Sequence, residues 1–405
     1  MEKRDYKKEL GYRLYALTYG ISSLFPLRRG QVFSIATHDP SETGNIRMLE
    51  RCMEAHGEEE EISYVFTGLN KKERDGMVQS GVASKVASLM SFFLVKPYQM
   101  ARAEYILMDN AFLPMAYTKI RKGTKVVQLW HGTGTIKKFG QDATSGWLHE
   151  MEQRINGNIT HLIVNGPALV KQYAGAFGVP EERTYPVGLP RTDAVISQIK
   201  GLSERAFPFF TRYPELAGKK LLLYAPTFRD GEKHHPKLHL DMDALMANLP
   251  EDYVLLLRLH PFVAEAYAKD HPVEEMQINQ GSTRVVLVSE YPDLNELLCV
   301  SDALITDYSS IVFEYVLLNR PMYFVTDDLD EFSDHGRGFY EPYEEFVPGM
   351  VTSDMELLAE QLVNDFSGEE SETWKAKRKQ FTSKYYEKLD GCATERVYEL
   401  ITRSK

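Results

Sequence analysis

The 405-residue sequence is poor in cysteine: Cys52, Cys299 and Cys392 are the only three, and none forms a C-x-x-C pair. That excludes a disulfide scaffold or a cysteine-rich zinc site and suits a reducing compartment. A basic excess is also missing. With 47 Lys and Arg against 58 Asp and Glu, the formal charge is −11, so no nucleic-acid partner held by bulk charge is expected. The sequence has no G-x-x-x-x-G-K-[ST], no complete G-x-G-x-x-G after a first strand, no H-E-x-x-H and no G-x-S-x-G. P-loop ATPases, dinucleotide dehydrogenases, zincins and α/β-hydrolases thus lack their defining residues. Near the N-terminus, the uncharged run 14–27 is too short to span a bilayer. It is not followed by an obvious small-residue cleavage site, so a signal peptide is not expected.

What is present is an ordinary globular composition, 43% hydrophobic and 26% charged, in a length that predicts two or three domains. Charge is uneven. Residues 1–30 carry seven basic groups against three acids, a net +4. Leu10, Leu14, Leu17 and Ile21 recur there at helical spacing, with Leu24, Phe25 and Leu27 just before Arg28 and Arg29. Two readings follow: a first helix packed on the domain, or a basic amphipathic segment resting on anionic lipid.

From residue 31 strand-like runs alternate with helical stretches. Strands are expected at 32–37, 62–67, 104–108, 125–129 and 161–164, and helices at 46–56 and 82–95, the second ending near Lys96-Pro97. After a break near 195–217 the rhythm restarts, with strands at 220–225, 253–259, 285–288, 303–306 and 322–325. This alternation predicts an α/β fold of two doubly wound parallel sheets. The predicted divisions are an N-terminal segment 1–30, a Rossmann-like domain 31–200, a second Rossmann-like domain 201–375 and a C-terminal helix 376–405. In open α/β sheets ligands bind beyond the carboxyl ends of the strands. Polar residues just after strands are therefore the ones to weigh.

The first such set is Trp130-His131-Gly132-Thr133-Gly134-Thr135, directly after a strand. A neutral imidazole at His131 suits proton abstraction from a hydroxyl near pH 7; the bland alternative is a structural histidine in a tight turn. Lys137 and Lys138 follow and suit phosphate. The second set is Arg258-Leu259-His260-Pro261, where alternation sends Arg258 and His260 to one side; a buried structural arginine is the alternative. The third is Thr306-Asp307-Tyr308-Ser309-Ser310, opening a helix at about Ile311: a phosphate site or an ordinary N-cap. Glu314, one turn in, is either a ribose contact or part of a solvated face. Thr227 and Arg229, Arg191, and Arg337 lie in three further loops, where a structural arginine–carboxylate pair is the usual arrangement. His234, His235 and His239 read as a solvated loop rather than a metal site.

Taken together and in order, WHGT-x-x-x-KK, G-x-PR-x-D, YAPT-x-R, R-x-HP, LITDYSS-x-x-FE, RGFY and a late Asp390-Gly391 resemble the CDP-glycerol glycerophosphotransferases of teichoic acid synthesis, over about residues 105–400. The resemblance implies a GT-B-like pair of Rossmann-like domains facing a central cleft, acceptor side first and CDP-binding second. It implies transfer of glycerol phosphate from CDP-glycerol to a hydroxyl, with release of CMP. The implied acceptors are prenyl-diphosphate-linked saccharides or polyol-phosphate chains at the cytoplasmic face of the membrane, where the enzyme would be peripheral. His131 would be the general base and His260 would stabilise phosphate charge. Thr133, Lys137, Arg191, Thr227, Arg229, Arg258, Asp307, Ser309, Ser310, Glu314 and Arg337 would contact substrates. No obligatory cofactor or metal is expected, because arginine, imidazolium and backbone N–H groups can neutralise phosphoryl charge.

The chain departs from the family pattern at 134–136, which reads Gly-Thr-Ile, and at Leu189 and Thr192, all on the expected acceptor side. A CDP-ribitol donor, or another CDP-alcohol for teichoic acid or capsule, satisfies the same motifs. A GT-B hexosyltransferase, a nucleotide-sugar epimerase and a non-catalytic membrane scaffold are the readings of other classes.

Overall fold

The computed structural model describes residues 5–39, 41–57, 63–64, 82–201, 208–227, 229, 237–259, 263–264, 284–330, 332 and 338–403. Twelve strands among them form two six-stranded parallel sheets. The first contains β1 (Arg28–Ile35), β2 (Ser63–Tyr64), β3 (Ala103–Met108), β4 (Lys125–Gln128), β5 (His161–Ile163) and β6 (Thr184–Tyr185), in the order β2-β1-β3-β4-β5-β6. The second contains β7 (Lys220–Tyr224), β8 (Tyr253–Leu257), β9 (Val285–Leu287), β10 (Ala303–Thr306), β11 (Met322–Val325) and β12 (Met350–Thr352), in the order β12-β11-β10-β7-β8-β9. Runs such as YVLLL and ALIT are buried end to end, as strands covered on both faces must be.

Each sheet has one point where strand order reverses: between β1 and β3 in the first, and between β7 and β10 in the second. Chains leaving two such strands turn to opposite faces and open a crevice at their carboxyl ends. The expected alternation is therefore present, with two short strands the sequence did not signal, β6 and β12.

The chain divides into two compact units. One comprises Met1–Thr133, Lys138–Asp193 and Tyr385–Lys405; the other comprises Gly134–Lys137 and Ala194–Lys384. The last helical stretch is split accordingly. Helix Glu372–Tyr385 is followed by a turn in which Gly391 takes φ +80°, and then by helix Ala393–Arg403.

Two local differences have clear causes. The helix starting at Val82 does not end at Lys96-Pro97. Val82–Met90 passes through a wider turn, Ser91–Val95, into helix Lys96–Arg102, where the proline occupies the first turn and its missing N–H leaves no bond unmade. The N-terminal helix Tyr6–Ser22 is capped by the Asp5 carboxylate, which accepts the backbone N–H groups of Lys7 and Lys8. It packs through Tyr15 and Tyr19, which are buried, while Leu10, Leu14, Leu17 and Ile21 are exposed. The leucine stripe is thus not the face that docks on the domain. Among the described residues no helix is long and apolar enough to cross a membrane.

Candidate active site

In the first unit the loops after β1, β3 and β4 converge on Asp109. Its carboxylate accepts the backbone N–H of Thr37 (2.8 Å), His38 (2.9 Å) and Asp39 (3.0 Å) and the Thr37 hydroxyl (3.0 Å). Its backbone carbonyl lies 3.0 Å from His131 Nδ1. A carbonyl only accepts, so Nδ1 carries the hydrogen of the neutral ring and Nε2 keeps its lone pair. The His38 ring stacks on His131 with centroids 4.3 Å apart and 17° between planes. His38 is itself held by the Asn110 amide, 2.9 Å from its Nδ1. Desolvation, and then the like charge of His38, push the His131 pKa down to about 4 despite the opposing Asp109 carbonyl. The ring is therefore neutral at pH 7, as a general base must be.

The residues around His131 are fixed as firmly. Trp130 adopts φ +55°, a left-handed conformation that is costly for a bulky side chain and redirects the chain just before the histidine. Asn45 donates to the carbonyls of Leu129 (3.3 Å) and Trp130 (3.0 Å) and accepts the Arg191 backbone N–H (2.9 Å). The Arg191 guanidinium donates to the His131 carbonyl (2.5 Å) and lies 3.7 Å from Asp39. Thr133 is fully buried, and its carbonyl accepts the Asn165 amide at 2.6 Å. Asp193 caps helix Ala393–Arg403, accepting the N–H groups of Ala393 (3.0 Å) and Thr394 (2.8 Å). This links the G-x-PR-x-D motif to the helix that follows Asp390-Gly391.

In the second unit, the residues after β7, β10 and β11 form an ion network. Arg229 pairs with Asp307 (2.6 Å) and Asp328 (2.9 Å), and its guanidinium lies 4.9 Å from the Tyr308 ring centroid. Burial works against the Arg229 charge, but the two carboxylates outweigh it and hold its pKa above the ordinary value. Asp307 also accepts the Thr227 N–H (2.8 Å), and its carbonyl accepts the Tyr343 hydroxyl (2.8 Å). The Thr227 hydroxyl is buried without a hydrogen-bond partner among the described residues, an unusual state that a bound polar ligand would relieve. Arg258 donates to the carbonyls of Val288 (3.0 Å), Ser289 (2.7 Å) and Tyr291 (2.6 Å), so among the described residues this half-buried arginine is satisfied by backbone rather than by a carboxylate.

Ser309 and Ser310 sit at the start of a short helix, Val312–Tyr315, and are partly exposed. Glu314 is buried, which removes the solvated-face alternative. Lys137 pairs in an antiparallel bridge with Phe339 of the RGFY segment, and its ammonium lies 5.7 Å from the Phe332 ring centroid. Gly134 lies against Phe313; a Cβ there would sit 2.2 Å from the ring, so no larger residue fits without movement. His239 is not solvated. Its Nδ1 lies 2.8 Å from Asp327, with the side chain only 10% exposed. His260, Arg337, His234 and His235 lie outside the described residues.

Sequence reasoning missed His38, Asp39, Asn45, Asp109, Asn110 and Asp328. The rule that selected His131 would have found His38 and Asp109, since both follow strands that flank the reversal point.

Residues 17–403 match the family described as CDP-Glycerol:Poly(glycerophosphate) glycerophosphotransferase. The chain belongs to this family. It is 33% identical over 393 residues to the teichoic acid ribitol-phosphate primase of Bacillus spizizenii, covering 94% of this chain and 93% of that protein. It is 27% identical to the teichoic acid glycerol-phosphate transferase of Staphylococcus aureus, covering 99% and 100%. The solved wall teichoic acid polymerase TagF superposes with a TM-score of 0.74 at 22% identity, over 98% of this chain and 95% of that one. A UDP-GlcNAc 2-epimerase from Neisseria meningitidis shares the fold more distantly, with a TM-score of 0.56 at 11% identity, over 92% and 100%. The chain is thus a transferase family member of teichoic acid synthesis that moves glycerol or ribitol phosphate.

Proposed function

We propose that the protein transfers glycerol phosphate from CDP-glycerol to a hydroxyl of a lipid-linked acceptor and releases CMP. The observation that carries this reading is His131: a ring neutral at pH 7, fixed through Nδ1, with Nε2 left without a hydrogen-bond partner among the described residues. The acceptor hydroxyl forms its bond to the phosphorus bearing the glycerol. The bond from that phosphorus to the bridging oxygen breaks, and the hydroxyl proton passes to Nε2 of His131. CMP leaves with the bridging oxygen. Such a reaction needs positioning and neutralised phosphoryl oxygens more than covalent help. We assign donor contact to Thr227, Ser309 and Ser310, with Arg229 and Asp307 holding the loops that present them. Arg258, Glu314 and Lys137 are assigned to the donor and Arg191 and Thr133 to the acceptor side by their place in the family motifs, as are His260 and Arg337.

CDP-ribitol is the second reading, favoured by the 33% identity to a ribitol-phosphate primase over nearly the whole of both chains. CDP-glycerol is favoured by the family description and by a solved TagF form soaked with CDPG. Phosphorus-31 NMR of reactions supplied with each donor and a prenyl-diphosphate disaccharide tests the proposal. A new phosphodiester together with CMP is expected from one donor. A sugar product with intact diphosphate chemistry would instead place the chain among hexosyltransferases.

We propose further that the first unit rests on the cytoplasmic face of the membrane. Leu10, Leu14, Leu17 and Ile21 form one exposed line, and Leu24 and Phe25 extend it. Val86, Leu89, Met90 and Leu94 of the next helical stretch are exposed as well. Lys7, Lys8, Arg28 and Arg29 supply the charge that anionic lipid attracts. Binding to vesicles rich in anionic lipid should be strong and should fall sharply in the double variant Leu14→Glu and Leu17→Glu. Equal recovery of both proteins with vesicles would contradict the assignment.

A further inference from the structure

Away from the residues considered so far, the first unit holds a second set of groups with chemistry. Helix Asn45–Ala55 ends with Cys52 and, at its C-cap, His56, one turn apart. Glu395 lies in the first turn of helix Ala393–Arg403. Cys52 Sγ is 3.4 Å from one Glu395 carboxylate oxygen, and His56 Nε2 is 3.1 Å from the other. The donor atoms of the three residues all lie within 4.8 Å of one another.

The histidine is oriented for ligation. Its Nδ1 lies 2.9 Å from the Cys52 carbonyl, which can only accept, so Nδ1 carries a hydrogen. In the neutral ring Nε2 then presents a lone pair to a carboxylate that is also an acceptor. Two acceptors at 3.1 Å require a cation or a second proton between them. Stacking on Tyr398, with centroids 4.2 Å apart and 26° between planes, fixes the ring plane. A backbone carbonyl holding the distal N–H of a histidine is the usual outer support of a metal ligand.

We propose that Cys52, His56 and Glu395 bind one divalent ion of the zinc class. Sulfur, imidazole nitrogen and carboxylate oxygen form a borderline-soft set that suits zinc. Zinc bonds of about 2.0–2.3 Å put tetrahedral ligands roughly 3.3–3.8 Å apart; the 3.1 and 3.4 Å to the two Glu395 oxygens lie near that range, and the carboxylate turns one oxygen to the ion on binding. His56 and Glu395 are 40% and 46% exposed, which leaves a face for a water as fourth ligand. On binding, the Cys52 thiol proton passes to solvent and the thiolate bonds the metal, while His56 binds as the neutral ring. The ion ties the C-terminal helix to the helix Asn45–Ala55 of the same unit. The other His–carboxylate set, His239 with Asp327 and Asp328, is less suited: Asp328 already accepts from Arg229 and from the Tyr308 hydroxyl.

The test uses the full chain stripped of metal. Zinc is titrated against a chromophoric chelator, and cobalt(II) is added in parallel as a spectroscopic probe. The expected result is one zinc per chain and a thiolate-to-cobalt charge-transfer absorption. Cys52→Ser should abolish that absorption. His56→Gln and Glu395→Gln should each weaken zinc binding by at least the roughly tenfold that loss of an outer-shell partner costs. His239→Gln should leave binding unchanged, and circular dichroism in chelator should match the wild type for every variant. Absence of the absorption in the wild type, or its persistence in Cys52→Ser, would overturn the proposal and leave Glu395 in ordinary polar contacts with His56 and Cys52.

Discussion

The polar residues at the strand-order reversal of the first unit leave one reactive atom without a hydrogen-bond partner among the described residues, whereas those of the second pair with one another. After β1, β3 and β4, Asp109 organises the backbone so that His131 is fixed at Nδ1 and Nε2 has no hydrogen-bond partner among the described residues. After β7, β10 and β11, Arg229 is clasped by Asp307 and Asp328 and lies against Tyr308. A single place in the topology can therefore carry either a poised base or a rigid ionic frame. The motif residues alone do not separate the two, because both read as charged groups following buried strands. The surroundings decide: burial and a second imidazole lower a pKa against an opposing carbonyl, while paired carboxylates raise one.

The sharpest way to break the contrast is to remove the base. His131→Ala should lower acceptor-dependent turnover by roughly 100- to 10,000-fold, with an unchanged thermal midpoint. Asp307→Ala should act on stability first. It breaks a buried ion pair, leaves Arg229 to Asp328 alone and the Thr227 N–H without its acceptor, and should destabilise the protein by about 3–5 kcal/mol, read as a lower unfolding midpoint. A smaller cost, about 1–3 kcal/mol, is expected for Gly134→Ala, whose methyl meets the Phe313 ring, and Phe313→Leu should recover part of it.

The smallest expected change sharpens the electrostatic argument. Catalysis by His131 requires the neutral ring, so with its pKa at about 4 activity persists as pH falls and is lost only near that value. Replacing His38 by glutamine removes the like charge that lowers this pKa. The acid limb of kcat/KM should then move to higher pH, while turnover at pH 8 changes little. A fixed limb would show that His38 only packs.

Much of this organisation was legible from sequence, and the reasons differ by element. Runs such as LLLY and YVLLL announce buried strands because nothing else tolerates uninterrupted apolar branching beside polar turns. β6 and β12 escaped because two or three residues carry no pattern. His131 was visible from its place after β4. Its pairing with His38 was not, since the two lie 93 positions apart and only the sheet order brings them together. The helical spacing of Leu10, Leu14, Leu17 and Ile21 was read correctly as a helix. Which face it buries was settled by Tyr15 and Tyr19, whose rings fill the domain side. The histidine at 239 looked solvated because Asp327 is distant in sequence.

Acceptor-dependent CMP release by wild type and by His131→Ala, with CDP-glycerol and CDP-ribitol in parallel, tests the central claim most directly. The account predicts release from one of the two donors by the wild type, dependence on the lipid-linked acceptor, and near-complete loss in the variant. Release that is equal in the variant and the wild type would contradict the assignment of His131 as the base. Release from neither donor by the folded wild type would contradict the assigned chemistry.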